Sequence, residues 1–74
     1  MYDIEEIYFS LSENIDEHRR ARHWTIKKLS ELTGSSYNET HNWISGARTP
    51  GFESLLKIAN AYGISIDELI GARK

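Results

Sequence analysis

Residues 25–43 read TIKKLSELTGSSYNETHNW and contain the signals for two short helices with almost no linker between them. Thr25 can cap the first helix, and Gly34 is the left-handed residue that would end it. Ser36, followed three residues later by a glutamate, forms a capping box that opens the second helix, and Gly46 stops that helix. Because the turn is only one or two residues long, the two helices must cross each other.

Apolar residues at helical spacing predict one further helix before this pair and two after it. The stripe of the first helix runs towards Arg22 and consists of Ile4, Ile7, Tyr8, Leu11 and Ile15. The sequence leaves open where this helix starts, because capping-box spacing begins at both Asp3 and Ser10. After Pro50, the stripe of the fourth helix ends at Gly63 and consists of Phe52, Leu55, Leu56, Ala59 and Tyr62.

Ser65 caps a short fifth helix that carries Ile66, Leu69 and Ile70. No segment alternates with a period of two, so no sheet is predicted. Neither a repeat nor a low-complexity linker divides the chain. We therefore expect an all-α fold: a compact five-helix domain that spans residues 1–74, in which helices 2 and 3 form a helix-turn-helix.

Length and composition narrow the function classes. A chain of 74 residues is too short for a two-domain enzyme, and a domain of this size buries only about 60% of its unfolded surface. The chain has no cysteine, which excludes disulfides and thiolate metal sites and favours the cytoplasm. No stretch approaches the roughly 18 apolar residues of a membrane span. We expect neither a cofactor nor an enzymatic activity, because no catalytic constellation can be placed.

The charges are unevenly distributed along the chain, although the formal net charge is only -2. Every charged residue before position 18 is acidic. Residues 18–48 carry Arg19, Arg20, Arg22, Lys27, Lys28 and Arg48 against only Glu31 and Glu39. This asymmetry predicts that the centre of the chain faces a polyanion.

The outward positions of the third helix are the candidates for reading DNA bases: Tyr37, Asn38, His41 and Asn42. These four are poor helix formers, whereas an ordinary exposed face favours residues such as Glu, Lys, Gln or Ala. Asn can pair bidentately with adenine, and the other two residue types can contact base edges or phosphates. Thr40 and Trp43 lie on the opposite side of the helix, and we assign both to the core.

The candidates for phosphate contacts lie around this helix pair: Thr25, Lys27, Lys28, Ser36, Ser45, Gly46 and Arg48. Lys27 and Lys28 occupy the first turn of helix 2, where the macrodipole disfavours cations, so a bound phosphate would explain them. Glu39 is assigned to the capping box rather than to base reading. No metal site is expected, because His18 and His23 diverge around a helix, and His18 is assigned a half-buried structural role.

The sequence also resembles a known family, the phage repressor/Cro-like helix-turn-helix family, also called the xenobiotic response element family. The resemblance is carried by the loop GARTP at residues 46–50 and by LLKIANAYGISIDEL at residues 55–69. It implies a five-helix transcriptional regulator that binds DNA as a dimer and reads the major groove with helix 3. The family pairs an arginine of helix 1 with a glutamate near the end of helix 3; since Ile44 stands there, we expect Arg19 to remain solvated.

We therefore expect a sequence-specific regulator, most simply a repressor, that binds double-stranded DNA as a homodimer. Its dimer contacts would come from Ile66, Leu69 and Ile70 or from the apolar residues at the N-terminal end. The alternative is a protein-interaction or antitoxin-like module with the same fold, whose exposed apolar residues would be Ile4, Ile7, Tyr8 and Phe9. Salt-dependent binding to random duplex would separate the two, because only the regulator neutralises phosphates.

Overall fold

A computed structural model describes residues 3–71, and within them the chain forms five α-helices and no strand. The helices are α1 (Ile4–Ala21), α2 (Ile26–Thr33), α3 (Tyr37–Ser45), α4 (Phe52–Tyr62) and α5 (Ile66–Ile70). The all-α five-helix prediction is confirmed. None of these helices is long and apolar enough to cross a membrane.

Local hydrogen bonds set the helix ends. Of the two predicted starts of α1, the structure has the one at Asp3, whose carboxylate accepts a hydrogen bond from the Glu6 amide at 3.2 Å. Ser10 instead lies inside the helix and donates its hydroxyl hydrogen to the Glu6 carbonyl. Gly34 ends α2 at φ 72°, a left-handed conformation that turns the chain directly into α3.

All five helices pack around one core. Its buried apolar residues are Leu11, Ile15, Leu29, Trp43, Ile58, Ala59, Tyr62 and Leu69. Trp43 and Thr40 are both buried, as predicted, and the Thr40 hydroxyl donates to the Ser36 carbonyl at 2.9 Å. Leu69 is completely buried, which corrects the expectation that it contributes to a dimer contact.

Two polar side chains fasten α1 to α4. The buried Tyr62 hydroxyl donates to the Ile15 carbonyl at 2.7 Å, and burial raises the pKa of Tyr62 far above its ordinary value of 10.0. Arg22 donates to the Tyr62 carbonyl at 2.9 Å and places its guanidinium 4.7 Å from the centre of the Tyr62 ring. These contacts hold the scaffold on which α2 and α3 rest.

The prediction that Arg19 stays solvated is wrong. Its guanidinium bonds the Asp16 carboxylate at 2.7 Å and the Trp24 carbonyl at 2.7 Å, and only 19% of the side chain is exposed. Without an acidic partner on α3, Arg19 turns to an acid on its own helix and to the α1–α2 connection. A half-buried guanidinium needs such acceptors, because it has lost part of its hydration and would otherwise leave donors unpaired.

Candidate nucleic-acid interface

Helix α3 presents one face to the core and the other to solvent. The core face carries Thr40 and Trp43, which are 0% and 4% exposed. Tyr37, Asn38 and His41 are exposed on the remaining surface. The predicted readout set is therefore solvent-facing at these three positions, and a duplex laid along this side of α3 would meet their side chains.

Asn42 is the least accessible member of the predicted readout set, since it is half-buried. Its carbonyl accepts the Arg48 amide at 3.2 Å and the Ser45 hydroxyl at 3.3 Å. These bonds use the backbone of Asn42 and leave its side-chain amide available at the groove beside α3. Asn42 thus also anchors the loop that follows the helix.

An aromatic pair lies on the exposed side of α3. The rings of Tyr37 and His41 are separated by 6.3 Å between centroids, with 20° between their planes. The two residues are four positions apart, the spacing at which helical side chains meet. The stack limits the directions in which the His41 ring can point.

A groove of about 320 Å³ separates α3 from the loop and the start of α4. It is lined by Asn38, Glu39, Asn42, Trp43, Arg48, Thr49, Pro50, Gly51 and Ser54. Amide side chains from α3 and the exposed Arg48 therefore border the same depression. A strand of nucleic acid backbone in this groove would place its phosphates near a cation and its bases near two amides.

The loop after α3 is held close to α1. Gly46 has φ 85°, and a Cβ atom there would lie 3.3 Å from the Ser12 hydroxyl oxygen. The Ser45 hydroxyl is engaged within the loop, since it donates to the Asn42 carbonyl and accepts the Ala47 amide at 3.4 Å. Ser45 and Gly46 thus fix the path of the loop, and their phosphate contacts stay predictions.

The hydroxyl oxygens of Thr25 and Ser36 both act as helix caps. Thr25 accepts the Lys28 amide at 3.0 Å, and Ser36 accepts the Glu39 amide at 3.0 Å. The Glu39 carboxylate returns the bond by accepting the Ser36 amide at 3.2 Å, so the predicted capping box is confirmed. Capping occupies the acceptor side of each hydroxyl. The Thr25 hydroxyl hydrogen remains for an external acceptor, whereas the Ser36 hydroxyl donates to the Glu39 carboxylate at 3.5 Å.

Lys27 and Lys28 are exposed on the first turn of α2, which contains no acidic residue. The structure therefore retains the unfavourable placement of two cations at a helix N-terminus. The predicted phosphate residues form two groups. Thr25, Lys27 and Lys28 lie at the start of α2. Ser36, Ser45 and Gly46 lie at the two ends of α3, and Arg48 borders the groove beside that helix.

Two hydroxyl-bearing groove residues were missed by the sequence reasoning. Thr49 and Ser54 line the groove together with Asn38 and Asn42. The available signal was the Pro50-Gly51 punctuation, which places Ser54 on the first turn of α4. The spacing of residues within α3 does not show that Thr49 and Ser54 form the opposite wall of this groove.

The histidines occupy three different settings. His18 is half-buried, with its ring centroid 5.4 Å from that of Tyr62 and its Nδ1 atom 3.3 Å from an Arg22 nitrogen, so the predicted structural role is confirmed. His23 is exposed at a positive φ of 58°, and His41 lies on α3. Among residues 3–71, no three potential ligands converge on a possible metal position.

A helix-turn-helix family model matches residues 15–69, and the chain belongs to this family. The predicted resemblance to its phage repressor/Cro-like members is confirmed.

The chain is similar to the HTH-type transcriptional regulator ImmR of Bacillus subtilis (strain 168). ImmR is 32% identical over 62 residues, which cover 84% of this chain and 49% of ImmR. The cryptic phage CTXphi transcriptional repressor RstR of Vibrio cholerae is 36% identical over 61 residues, covering 82% of this chain and 54% of RstR. The HTH-type transcriptional regulator AnsR of Bacillus subtilis (strain 168) is 27% identical over 62 residues, covering 84% of this chain and 53% of AnsR.

The chain spans about half the length of these curated relatives. No solved structure matches the chain with comparable significance.

Proposed function

We propose that residues 1–74 form the DNA-binding domain of a transcriptional regulator that occupies a specific operator in double-stranded DNA. The observation that carries this proposal is the division of α3 into two faces. Thr40 and Trp43 tie one face to the core, whereas Tyr37, Asn38 and His41 stand in solvent on a rigidly capped helix. A helix held in this way can enter a major groove without rearrangement.

Base readout is assigned to four side chains of α3, namely Tyr37, Asn38, His41 and Asn42. Each Asn amide offers a donor and an acceptor, which match the N6 and N7 atoms of adenine. One bidentate contact discriminates against the wrong base by about 1–3 kcal/mol. The stacked rings of Tyr37 and His41 present an imidazole nitrogen and apolar ring edges beside these amides.

Phosphate contacts are assigned to residues on both sides of α3: Thr25, Lys27, Lys28, Ser36, Ser45, Gly46 and Arg48. Lys27, Lys28 and Arg48 supply positive charge, and the Thr25 hydroxyl and the backbone amides supply directional donors. These contacts provide affinity without sequence preference and make that affinity fall with salt. We propose that binding needs neither a cofactor nor a metal ion, and that the protein acts in the cytoplasm as a binding protein rather than an enzyme.

All three relatives support the regulatory part of the proposal by name, since RstR is called a transcriptional repressor and ImmR and AnsR are called transcriptional regulators. We propose repression as the mode of action, with a homodimer as the form that binds DNA. Two α3 helices related by a two-fold axis would enter successive major grooves, so the half-sites would lie about 10 base pairs apart.

Selection of binding sites from a randomised duplex library at moderate salt tests this function. We expect enrichment of one motif, arranged as a palindrome with a spacing of about one helical turn. The chain with Tyr37, Asn38 and Asn42 all replaced by Ala is the control, because these replacements leave the core and both caps intact. Enrichment of the same motif by this variant would contradict readout by α3.

The second candidate function is a protein-interaction or antitoxin-like module. The observation that favours it is the exposure of Ile4, Tyr8 and Phe9, which are 65%, 62% and 90% accessible, whereas Ile7 is half-buried. A chain with only this function would enrich no motif and would bind no random duplex at low salt. Salt-sensitive duplex binding would count against it.

A further inference from the structure

An apolar groove of about 400 Å³ lies where the starts of α1 and α4 meet α5, and we call it the α1–α4–α5 groove. Leu11 and Pro50, which are buried, contribute to its lining. Side chains from all three helices form its walls: Ile4, Ile7, Tyr8, Phe52, Ile66 and Ile70. The groove is therefore a preformed apolar depression on the surface of the domain.

Large side chains stand in solvent around the groove. Ile4, Tyr8 and Phe52 are 65%, 62% and 72% exposed. With about 200 Å² for a fully accessible large side chain, these three present roughly 350 Å² of mainly apolar area. Apolar patches of a few hundred Å² are frequently interaction sites on soluble proteins. The helix-turn-helix match begins at residue 15, so the wall that α1 supplies lies upstream of the matched region.

Every charged residue in the three segments that line the groove is acidic. Residues 3–11, 49–55 and 66–70 contain no Lys, Arg or His, and their charged residues are Asp3, Glu5, Glu6, Glu53, Asp67 and Glu68. Arg48 and Lys57 flank these segments in sequence but do not line the groove. Charge of one sign beside a low-dielectric surface attracts groups of the opposite sign. The α1–α4–α5 groove therefore suits an occupant that is apolar at its centre and cationic at its margins.

This charge pattern argues against two other occupants. The phosphates of DNA would be repelled by the acidic segments. A second copy in a two-fold contact would place the same surface against itself and would bring the acids of one copy towards those of the other. Like charges placed opposite each other weaken an interface. A different protein with basic residues meets neither obstacle.

From these observations we propose that the α1–α4–α5 groove binds an amphipathic helix of a different protein, with apolar residues along one face and Lys or Arg beside them. Within residues 3–71 the chain has no strand, so an extended segment would find no sheet edge there to pair with. A helix with apolar residues at i, i+3 or i+4, and i+7 can instead insert them between the three helices. The proposal goes beyond the DNA-binding function and does not depend on it, because no residue of α3 lines the groove.

A synthetic peptide tests the groove in the absence of DNA. The basic probe is a helix of about 18 residues, or five turns, with Leu at the i, i+3, i+4 and i+7 positions and Lys and Ala elsewhere. Fluorescence anisotropy measures its binding to the whole chain. We expect a dissociation constant of about 10–100 µM, as for a small transient interface. No binding of the basic probe in this range would overturn the proposal.

Two matched peptides separate the contributions of charge and of the apolar face. An acidic probe with Glu in place of each Lys should bind at least about tenfold more weakly. A scrambled probe of the same composition as the basic one, but without the apolar stripe, should bind at least about tenfold more weakly as well. Equal binding of the acidic probe would contradict the charge complementarity. Equal binding of the scrambled probe would show non-specific attraction, and either result overturns the proposal.

Variants of the chain locate the contact. Phe52→Ser and Tyr8→Ser should each raise the dissociation constant of the basic probe at least about tenfold. Leu32→Ser is the matched control and should bind like the wild type, because Leu32 is an apolar residue of α2, 46% exposed and outside the groove. Circular dichroism verifies that each variant is folded. Folded Phe52→Ser and Tyr8→Ser that bind the basic probe like the wild type would overturn the proposal.

The acidic residues are tested by removing charge without changing size. The double variant Glu5→Gln and Glu53→Gln should bind the basic probe more weakly than the wild type and lose affinity less steeply with salt. Glu31→Gln removes an exposed acid of α2 and is the matched control. Equal effects of the double variant and the control would show that the acids of the groove segments do not attract the partner.

Two further measurements distinguish this proposal from self-association and from DNA binding. Sedimentation equilibrium of the wild type and of Phe52→Ser would reveal a second copy as the occupant if self-association occurs and is lost in the variant, and that result would overturn the proposal. Binding of a selected half-site duplex reports on the DNA-binding function alone, and Phe52→Ser should bind it like the wild type. A wild type that binds the basic probe but no duplex would contradict only the DNA-binding function.

Discussion

Tyr37 and His41 stack on the exposed side of α3, with ring centroids 6.3 Å apart. The pair occupies the solvent-facing side of a helix whose opposite side is fixed in the core by Thr40 and Trp43. A side chain held in one orientation before binding loses less conformational entropy when it meets a base. The stack therefore prepares His41 for contact with DNA.

Removal of this stack should weaken specific binding. For Tyr37→Ala we expect a loss of about two- to tenfold in affinity for the selected site, because an aromatic pair contributes about 0.5–1.5 kcal/mol. Tyr37→Phe keeps the ring and should stay close to the wild type. Fluorescence anisotropy with a labelled duplex measures both. Equal losses for the two variants would show that the phenol hydroxyl, and not the stack, matters.

Lys28 should contribute to affinity without contributing to sequence preference. Lys28→Ala should weaken binding to selected and scrambled duplexes alike and reduce the slope of log affinity against log salt by about 1. Lys57→Ala removes an exposed lysine of α4 that does not line the groove beside α3 and serves as the control. A loss restricted to the selected duplex, or an equal change of slope in both variants, would contradict the phosphate role.

The hydrogen bond from Tyr62 to the Ile15 carbonyl should be visible in stability. Tyr62→Phe should lower the free energy of unfolding by about 0.5–1.5 kcal/mol at neutral pH, as measured by urea denaturation. DNA affinity of the folded variant should be unchanged, because Tyr62 lies in the core. A variant as stable as the wild type would contradict this account of the α1–α4 contact.

The same residue predicts an alkaline loss of stability. Burial raises the pKa of Tyr62 above its ordinary value of 10.0, so above about pH 10 the unfolded chain releases a proton that the folded chain retains. The contribution is fully present below pH 10 and falls by about 1.4 kcal/mol for each pH unit above it. Denaturation at pH 9 to 11 should show a steeper decline for the wild type than for Tyr62→Phe, and parallel declines would contradict the shift.

Two glycines provide a matched test of the tight turn between α2 and α3. Gly34→Ala should destabilise the fold by about 1 kcal/mol, because φ 72° is left-handed and strained for alanine although no neighbour obstructs the new methyl group. Gly51 also has free space around it but has φ -73° and is the N-cap of α4. Alanine is a poorer N-cap than glycine but lowers the entropy of the unfolded chain, and since the two effects offset each other, Gly51→Ala should change stability by less than about 0.5 kcal/mol. Thermal denaturation measures the stability of both variants. Equal losses of stability would contradict the prediction that the left-handed backbone at Gly34 causes the loss.

The helices were predictable because their signals are local. Thr25, Ser36 and Ser65 cap the helices that follow them, and Gly34 and Gly46 end α2 and α3, as the spacing indicated. Each of these signals acts over one helical turn. No tertiary information is needed to recognise them.

Contacts between distant segments were not predictable in the same way. Arg22 and Tyr62 are 40 positions apart, and nothing in either local sequence indicates that they bond. Arg19 was expected in solvent because its usual partner is missing, but the chain offers the Trp24 carbonyl instead. His23 takes a left-handed conformation at φ 58° without the glycine or asparagine that normally marks one.

The candidate site was only partly predictable. Helical spacing identified the side of α3 that carries Tyr37, Asn38 and His41, because Trp43 marks the opposite side. It did not show that Asn42 is half-buried or that Ser54 shares its groove, since both depend on the path of the loop after α3. Periodicity likewise assigned Tyr8 to the apolar stripe of α1 without showing that this end of the stripe is uncovered.

Reading of DNA sequence by α3 is the central claim, and a paired titration tests it most directly. The wild type and Asn42→Ala are each titrated against the selected duplex and a scrambled duplex of the same length at one salt concentration. The account predicts that the wild type prefers the selected duplex by at least about 10³-fold. It predicts that Asn42→Ala loses about 5- to 150-fold of that preference while binding scrambled DNA like the wild type. A wild type that binds both duplexes equally, or a variant with an unchanged preference, would contradict it.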